Sequence, residues 1–123
     1  MQETNLQVTV KAYLQAFDQK DLSQCLDFFA EDGTIDFGLG IYQGKQAIEK
    51  WHKERFAADL RVVRVDGIRV QGDTVIVEIV VTSNRLKAWR IGSLSGTATL
   101  VFQQSKIKKA KFGLRTTIPI EGW

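Results

Sequence analysis

The chain changes hydrophobic period part-way along its length. Near the start, apolar side chains recur three and four residues apart at Leu6, Val10, Tyr13, Leu14 and Phe17. That spacing predicts an amphipathic helix from about Thr4 to Asp18 with one buried stripe. A polar break, Gln19-Lys20-Asp21, follows, and Asp21 is placed to cap a second helix with Leu22, Cys25, Leu26 and Phe29 inward. Glu31-Asp32-Gly33 is expected to end that helix, with glycine as the left-handed stop. From Thr34 to Tyr42 the period becomes two: Ile35, Phe37, Leu39 and Ile41 alternate with Thr34, Asp36, Gly38 and Gly40, which predicts a strand or strand-like arm. Gly44 then leads into a third helix to about Ala58, with Ile48, Trp51, His52, Arg55 and Phe56 along one side.

Beyond that point the pattern is all strand. Leu60 to Val70 alternates and is β-branched, Gln71-Gly72-Asp73 reads as a turn, and Thr74 to Ser83 is rich in valine and isoleucine. Asn84 to Ile91 is expected to extend or bulge that strand, with a break at Gly92-Ser93. Ser95 to Gln103 and Ile107 to Ile118 read as two long strands joined by the turn Gln103-Gln104-Ser105-Lys106. Helices first and antiparallel strands afterwards argue for an α+β fold, with the helices on one face of a curved sheet.

Composition narrows the class. The 123 residues suit one domain, 1–123, and 44% hydrophobic with 25% charged residues is ordinary globular usage. No apolar run approaches the roughly twenty residues that span a bilayer. The polar stretch Met1 to Thr9 lacks a signal peptide's apolar core, so a cytoplasmic, reducing setting is expected and no membrane partner. Cys25 is the only cysteine and lies on an apolar helical stripe, which reads as a buried thiol and excludes an internal disulfide. The net charge of +3 is concentrated at Lys106, Lys108, Lys109, Lys111 and Arg115. With only Phe112 interleaved, these read as solvated lysines guarding a strand edge rather than a nucleic-acid stripe. One histidine and one cysteine make no zinc set, and no phosphate loop, nucleophile elbow or dinucleotide fingerprint occurs. The expectation is no metal and no cofactor, leaving acid–base chemistry or binding.

Two residues stand out as candidates for chemistry. Ile48, His52 and Phe56 are four apart, which sets the only histidine on the apolar stripe of the third helix. Tyr13 sits between Val10 and Phe17 on the stripe of the first. A buried hydroxyl or imidazole without a partner costs about 1–3 kcal/mol, so each is expected to hydrogen-bond inside the core. Asp36 is a reserve carboxylate, as a rim residue or, if its strand twists, an inward base beside Phe37, Trp51 and His52. Arg85, Trp89 and Arg90 form a further polar-aromatic cluster, read as surface packing.

The run Tyr13-Leu14-Gln15-Ala16-Phe17-Asp18 … Lys20-Asp21-Leu22 … Phe28-Phe29-Ala30-Glu31-Asp32-Gly33-Thr34-Ile35, continued by Tyr42-Gln43-Gly44-Lys45-Gln46-Ala47-Ile48 … Trp51, resembles nuclear transport factor 2-like proteins. That superfamily includes ketosteroid isomerases, SnoaL-like polyketide cyclases, scytalone dehydratases, limonene epoxide hydrolases and non-catalytic binding proteins. The resemblance covers roughly the first 56 residues and is specific for fold rather than activity. It implies a cone-shaped domain in which a curved antiparallel sheet and three helices enclose an apolar pocket, and a homodimer through the sheet's outer face. It also implies that Tyr13 aligns with the tyrosine that donates to the substrate oxyanion in ketosteroid isomerases, and His52 with a second tyrosine behind it. The isomerase acids are missing: the base position falls on Phe37 and the second acid near Ala98. Arg90 lacks the flanking aspartates of the epoxide hydrolases.

Two functions follow. One is a cofactor-independent isomerase, dehydratase or cyclase, not a true ketosteroid isomerase, acting on an apolar molecule with a carbonyl or hydroxyl. Tyr13, His52 and Asp36 would be its catalytic residues, and Phe17, Phe29, Phe37, Trp51, Phe56 and Leu114 would line its substrate site. The other is a non-catalytic module of the same fold that binds a ligand or a protein.

Overall fold

The computed structural model describes residues 2–38 and 40–114, with side chains from 6 onward and not at 114. Helix α1, Gln2–Asp18, and short helix α2, Leu22–Asp27, open the chain. Strand β1, Phe29–Phe37, and strand β2, Gly40–Gln43, form a hairpin before helix α3, Lys45–Ala57. Strands β3, Arg61–Gln71, and β4, Thr74–Thr82, are followed by helix α4, Asn84–Ala88. Strands β5, Leu94–Gln103, and β6, Lys106–Leu114, complete one six-stranded sheet of order β2-β1-β6-β5-β4-β3. The architecture is α+β with a curved, unclosed sheet. Its pairs are antiparallel except β1 with β6, which run parallel, a departure from the all-antiparallel expectation.

Three local expectations are corrected. The second helix does not reach Gly33; it stops at Asp27, and Phe29, Gly33, Ile35 and Phe37 instead turn inward along β1. Gly33 is a close-approach residue rather than a helix stop. A Cβ there would lie 3.1 Å from the carbonyl oxygens of both Ala30 and Ile107, at the register shift between β1 and β6. The stretch from Thr34 to Tyr42 is not one strand, because Gly38, at φ +61°, folds it into the β1–β2 hairpin. Asn84 to Ile91 does not extend β4. Ser83 caps a helix by accepting the Leu86 N–H at 3.2 Å, and burying Leu86 completely fixes the turn. Residues 115–118 of the expected last strand lie outside the described residues.

The core lies between the helices and the sheet's concave face. Val75, Val77, Ile79 and Val81 of β4 are all buried, as are Ala98, Leu100 and Phe102 of β5. Val10, Tyr13 and Phe17 of α1 and Ile48, Trp51 and His52 of α3 close over them. Each fully buried large apolar side chain contributes about 1.5–3 kcal/mol, so this single interface dominates stability. At the open end of the helical layer, Arg61 donates two hydrogen bonds to the Asp18 carboxylate, at 2.7 and 2.9 Å, tying α1 to β3.

Candidate functional site

The helical stripes bring Tyr13 and His52 together. Nδ1 of His52 lies 2.8 Å from the Ile48 carbonyl one turn back, and Nε2 lies 2.8 Å from the Tyr13 hydroxyl. A carbonyl only accepts, so Nδ1 carries the proton and Nε2 presents its lone pair. The Tyr13 O–H therefore donates to Nε2. Burial pushes the His52 pKa down to about 4, against a smaller upward pull from the Ile48 hydrogen bond. Burial, with Cys25 nearby, also holds the Tyr13 phenol well above its ordinary range. At neutral pH both groups are uncharged, and the single tyrosine proton is taken up inside the pair.

Aromatic rings surround this couple. Phe17, Phe28 and Phe29 meet Tyr13 edge-on with centroids 5.6–6.3 Å away. Beside it lies a cavity of about 20 Å³, walled by Tyr13, Phe17, Phe37, Trp51 and Phe112 with Leu14, Leu60, Val62, Ile79 and Val81. The lining is apolar throughout. Trp51 and Phe112, both on its wall, stack on each other with ring centroids 5.1 Å apart at 8°. A space of this size holds roughly one water-sized group, so a larger occupant enters only if a wall residue such as the half-buried Phe112 turns aside.

The sequence-derived residues therefore divide. Tyr13, Phe17, Phe37 and Trp51 line the cavity, and His52 stands directly behind Tyr13. Phe29 and Phe56 pack on the His52 ring, at 5.6 and 6.0 Å, without reaching the lining. Asp36 is not brought to them. Its strand neighbours Ile35 and Phe37 point inward, so it lies on the outer face in register with Ile41 and Lys111. The Leu114 side chain lies outside the described residues. Cys25 is fully buried and its thiol is pushed up to about 12, chiefly by burial.

Sequence reading overlooked Arg55 as a site residue. It is 7% exposed, its Nε and Nη1 find no hydrogen-bond partner, and its guanidinium carbon sits 4.6 Å from the Phe37 ring centroid. The signal was a basic residue on the buried stripe of α3, one turn beyond Trp51. Among the described residues no group of three or more histidine, cysteine or acidic side chains could hold a metal ion, and no helix is long and apolar enough to cross a membrane.

A family model for the SnoaL-like domain matches residues 10–110. The chain belongs to the SnoaL-like domain family. Among solved structures, this SnoaL-like domain is similar to the epoxide hydrolase/cyclase-like enzyme SalBIII, described for pyran ring formation in the polyether salinomycin. The TM-score is 0.82 at 18% identity, covering 95% of this chain and 96% of that one. It is also similar to a candidate polyketide cyclase from Sinorhizobium meliloti, with TM-score 0.76, 20% identity, and 85% and 93% of the two chains covered. A candidate ketosteroid isomerase from Kribbella flavida gives TM-score 0.79 at 12% identity, covering 94% of the SnoaL-like domain and 82% of its own chain. At these identities the likeness is one of fold. Comparison with curated protein sequences gives no match.

Proposed function

We propose that this SnoaL-like domain binds a small, mainly apolar molecule in the space between helices and sheet, without a cofactor. The carrying observation is the closed chain Tyr13 O–H to His52 Nε2 and His52 Nδ1–H to Ile48 O beside a wholly apolar cavity. A tyrosine whose proton is committed to a neutral imidazole cannot also donate to a ligand oxygen. The pair then serves as a satisfied, rigid floor, and apolar contact supplies the affinity.

The second reading is cofactor-free cyclisation or isomerisation of an apolar carbonyl- or hydroxyl-bearing substrate. Family membership and the position of Tyr13 on the cavity wall favour it. Proton transfer in that case runs through Tyr13 and His52, and needs the hydrogen bond between them to open as substrate enters.

Binding is measured with the neutral probe N-phenyl-1-naphthylamine. The parent chain should give saturable one-to-one fluorescence enhancement, lost when Val62→Phe fills the cavity. Absence of saturable binding sinks the proposal. Deuterium exchange at the α-carbon of an aryl ketone, abolished by His52→Gln, would instead establish the second reading.

The same proposal extends to a homodimer through the outer face of the sheet. Register sets Arg69, Ile76, Thr99, Lys111, Asp36 and Ile41 in one row across that face, and Ile41 is 72% exposed. Sedimentation should show a dimer that Ile76→Glu dissociates; a monomeric parent at tens of micromolar rejects it.

A further inference from the structure

Burial has taken most of one cation out of water without giving it a bonded carboxylate among the described residues. Arg55 is the buried member of the Lys and Arg side chains in the described residues, and it makes no ion pair with any described carboxylate. Its Nε and Nη1 are sealed from solvent and without hydrogen-bond partners. The Trp51 Nε1, one turn earlier on α3, is in the same condition. The guanidinium carbon lies 4.6 Å from the Phe37 ring centroid and 6.0 Å from that of Trp51. Both rings wall the cavity. Among the described residues, the charged and titratable groups acting on Arg55 are Glu54, exposed beside it on α3, Tyr42 of β2 and Arg85 of α4, and no described carboxylate bonds it. Desolvation is what chiefly bears on its charge, lowering its pKa.

Native proteins pair nearly all buried donors, and an isolated buried charge is among the costliest arrangements they can hold. Unpaired donors from two residues one turn apart on α3, buried outside the cavity's apolar lining beside the Phe37 and Trp51 rings, describe an acceptor that arrives with a ligand. We propose that Arg55 and the Trp51 indole N–H anchor the carboxylate of a mainly apolar acid whose hydrocarbon body lies in the cavity. A carboxylate fits better than a phosphate ester. Its single negative charge balances one guanidinium, whereas a second charge would stand unmatched against the Phe37 and Trp51 rings. The arrangement also assigns an end to the ligand: the body lies against the rings, and the oxygens lie toward the C-terminal half of α3.

This inference rests on the cavity being a ligand site, and the test separates the two. Binding of 4-phenylbutanoate and 4-phenylbutan-1-ol to the full chain is compared by calorimetry at pH 8. The acid should bind about tenfold more tightly or better, and Arg55→Met should bring the two within about threefold. Trp51→Phe, which keeps a ring and removes the N–H, should cost the acid a few-fold and spare the alcohol. Without ligand, Arg55→Met should melt no lower than the parent, because it removes an uncompensated charge. A melting temperature lowered by more than loss of the Phe37 ring contact accounts for, read from Arg55→Met in a Phe37→Leu background, would mean that Arg55 already has a charge partner in the chain, and would overturn the proposal. If Arg55→Met does not fold, Arg55→Gln and Trp51→Phe decide on the same preference. Equal binding of acid and alcohol to the parent, with Val62→Phe weakening both, would leave the cavity reading standing and remove the carboxylate anchor. If neither compound binds, the cavity reading falls and the anchor with it.

Discussion

Tyr13 and His52 are 39 residues apart in sequence and 2.8 Å apart in space, joined by a hydrogen bond in which the tyrosine donates. Neither group has another role to fill at neutral pH, since the imidazole's remaining N–H is held by the Ile48 carbonyl. The arrangement keeps two polar groups inside an aromatic core while leaving neither unpaired, and it fixes α1 against α3.

Removing one partner should therefore hurt more than the hydrogen bond's net worth. Tyr13→Phe keeps the ring but strips the donor from a buried Nε2, and should lower unfolding free energy by about 1–3 kcal/mol. Urea denaturation by circular dichroism measures it, and a change within 0.5 kcal/mol, about the noise of a surface substitution, would contradict the buried pair.

The same histidine sets a pH dependence. Its folded pKa is depressed to about 4, below the ordinary 6.5, so the unfolded chain takes up the proton first. The stabilisation is fully present above about pH 7 and is lost as pH falls from 6.5 toward 4, by about 3 kcal/mol in all. The paired carboxylates Asp18 and Asp59 are also depressed, held by hydrogen bonds from Arg61 and Lys20, and their contributions fade only below the ordinary carboxylate value of 3.8. The upper window thus belongs to His52. Melting curves between pH 7 and 4 should show the slope, and His52→Gln should flatten it. A histidine Cε1 proton titrating near 6.5 in the folded protein would refute the burial argument.

Gly33 is a packing requirement. Alanine there would push its Cβ to 3.1 Å from two backbone oxygens, which cannot swing aside as a side chain can. Gly33→Ala should destabilise by about 1–3 kcal/mol. Gly72→Ala should also be unfavourable, but from its φ of +61° rather than from contact, since nothing lies within 4 Å. Both are read by thermal unfolding, and a neutral Gly33→Ala would show that β1 and β6 part easily.

The β5–β6 turn leaves stability unused. Gln104 and Ser105 both adopt positive φ, 52° and 68°, between the paired Gln103 and Lys106, the backbone of a two-residue primed turn. Side chains other than glycine or asparagine are strained there. Ser105→Gly should raise stability by about 0.5–1 kcal/mol and Gln104→Asn by somewhat less. A fall in melting temperature for the glycine variant would mean that the turn is held by contacts the backbone angles do not reveal.

Several features were legible in the residues alone. The three-and-four spacing from Leu6 to Phe17, and from Ile48 to Phe56, determined two helices and which stripe each would bury, because a helix has only one way to bring those positions together. The same logic set Tyr13 and His52 inward and required each to find a partner. The alternation from Val75 to Val81 determined a strand with a core face, and the chain order of helices then strands determined the α+β class.

What the local pattern could not carry was decided by partners distant in sequence. Phe29 to Gly33 read as the end of a helix until β6 supplied a parallel neighbour to pair it. Asn84 to Ala88 has no apolar period, and became helical through one serine cap and one fully buried leucine. Asp36 could face either way on sequence grounds, and the inward commitment of Ile35 and Phe37 sent it outside. The open donors of Arg55 and Trp51 are legible only in three dimensions. Spacing shows that two side chains share a helical face, but whether an acceptor waits opposite them depends on how separate elements meet.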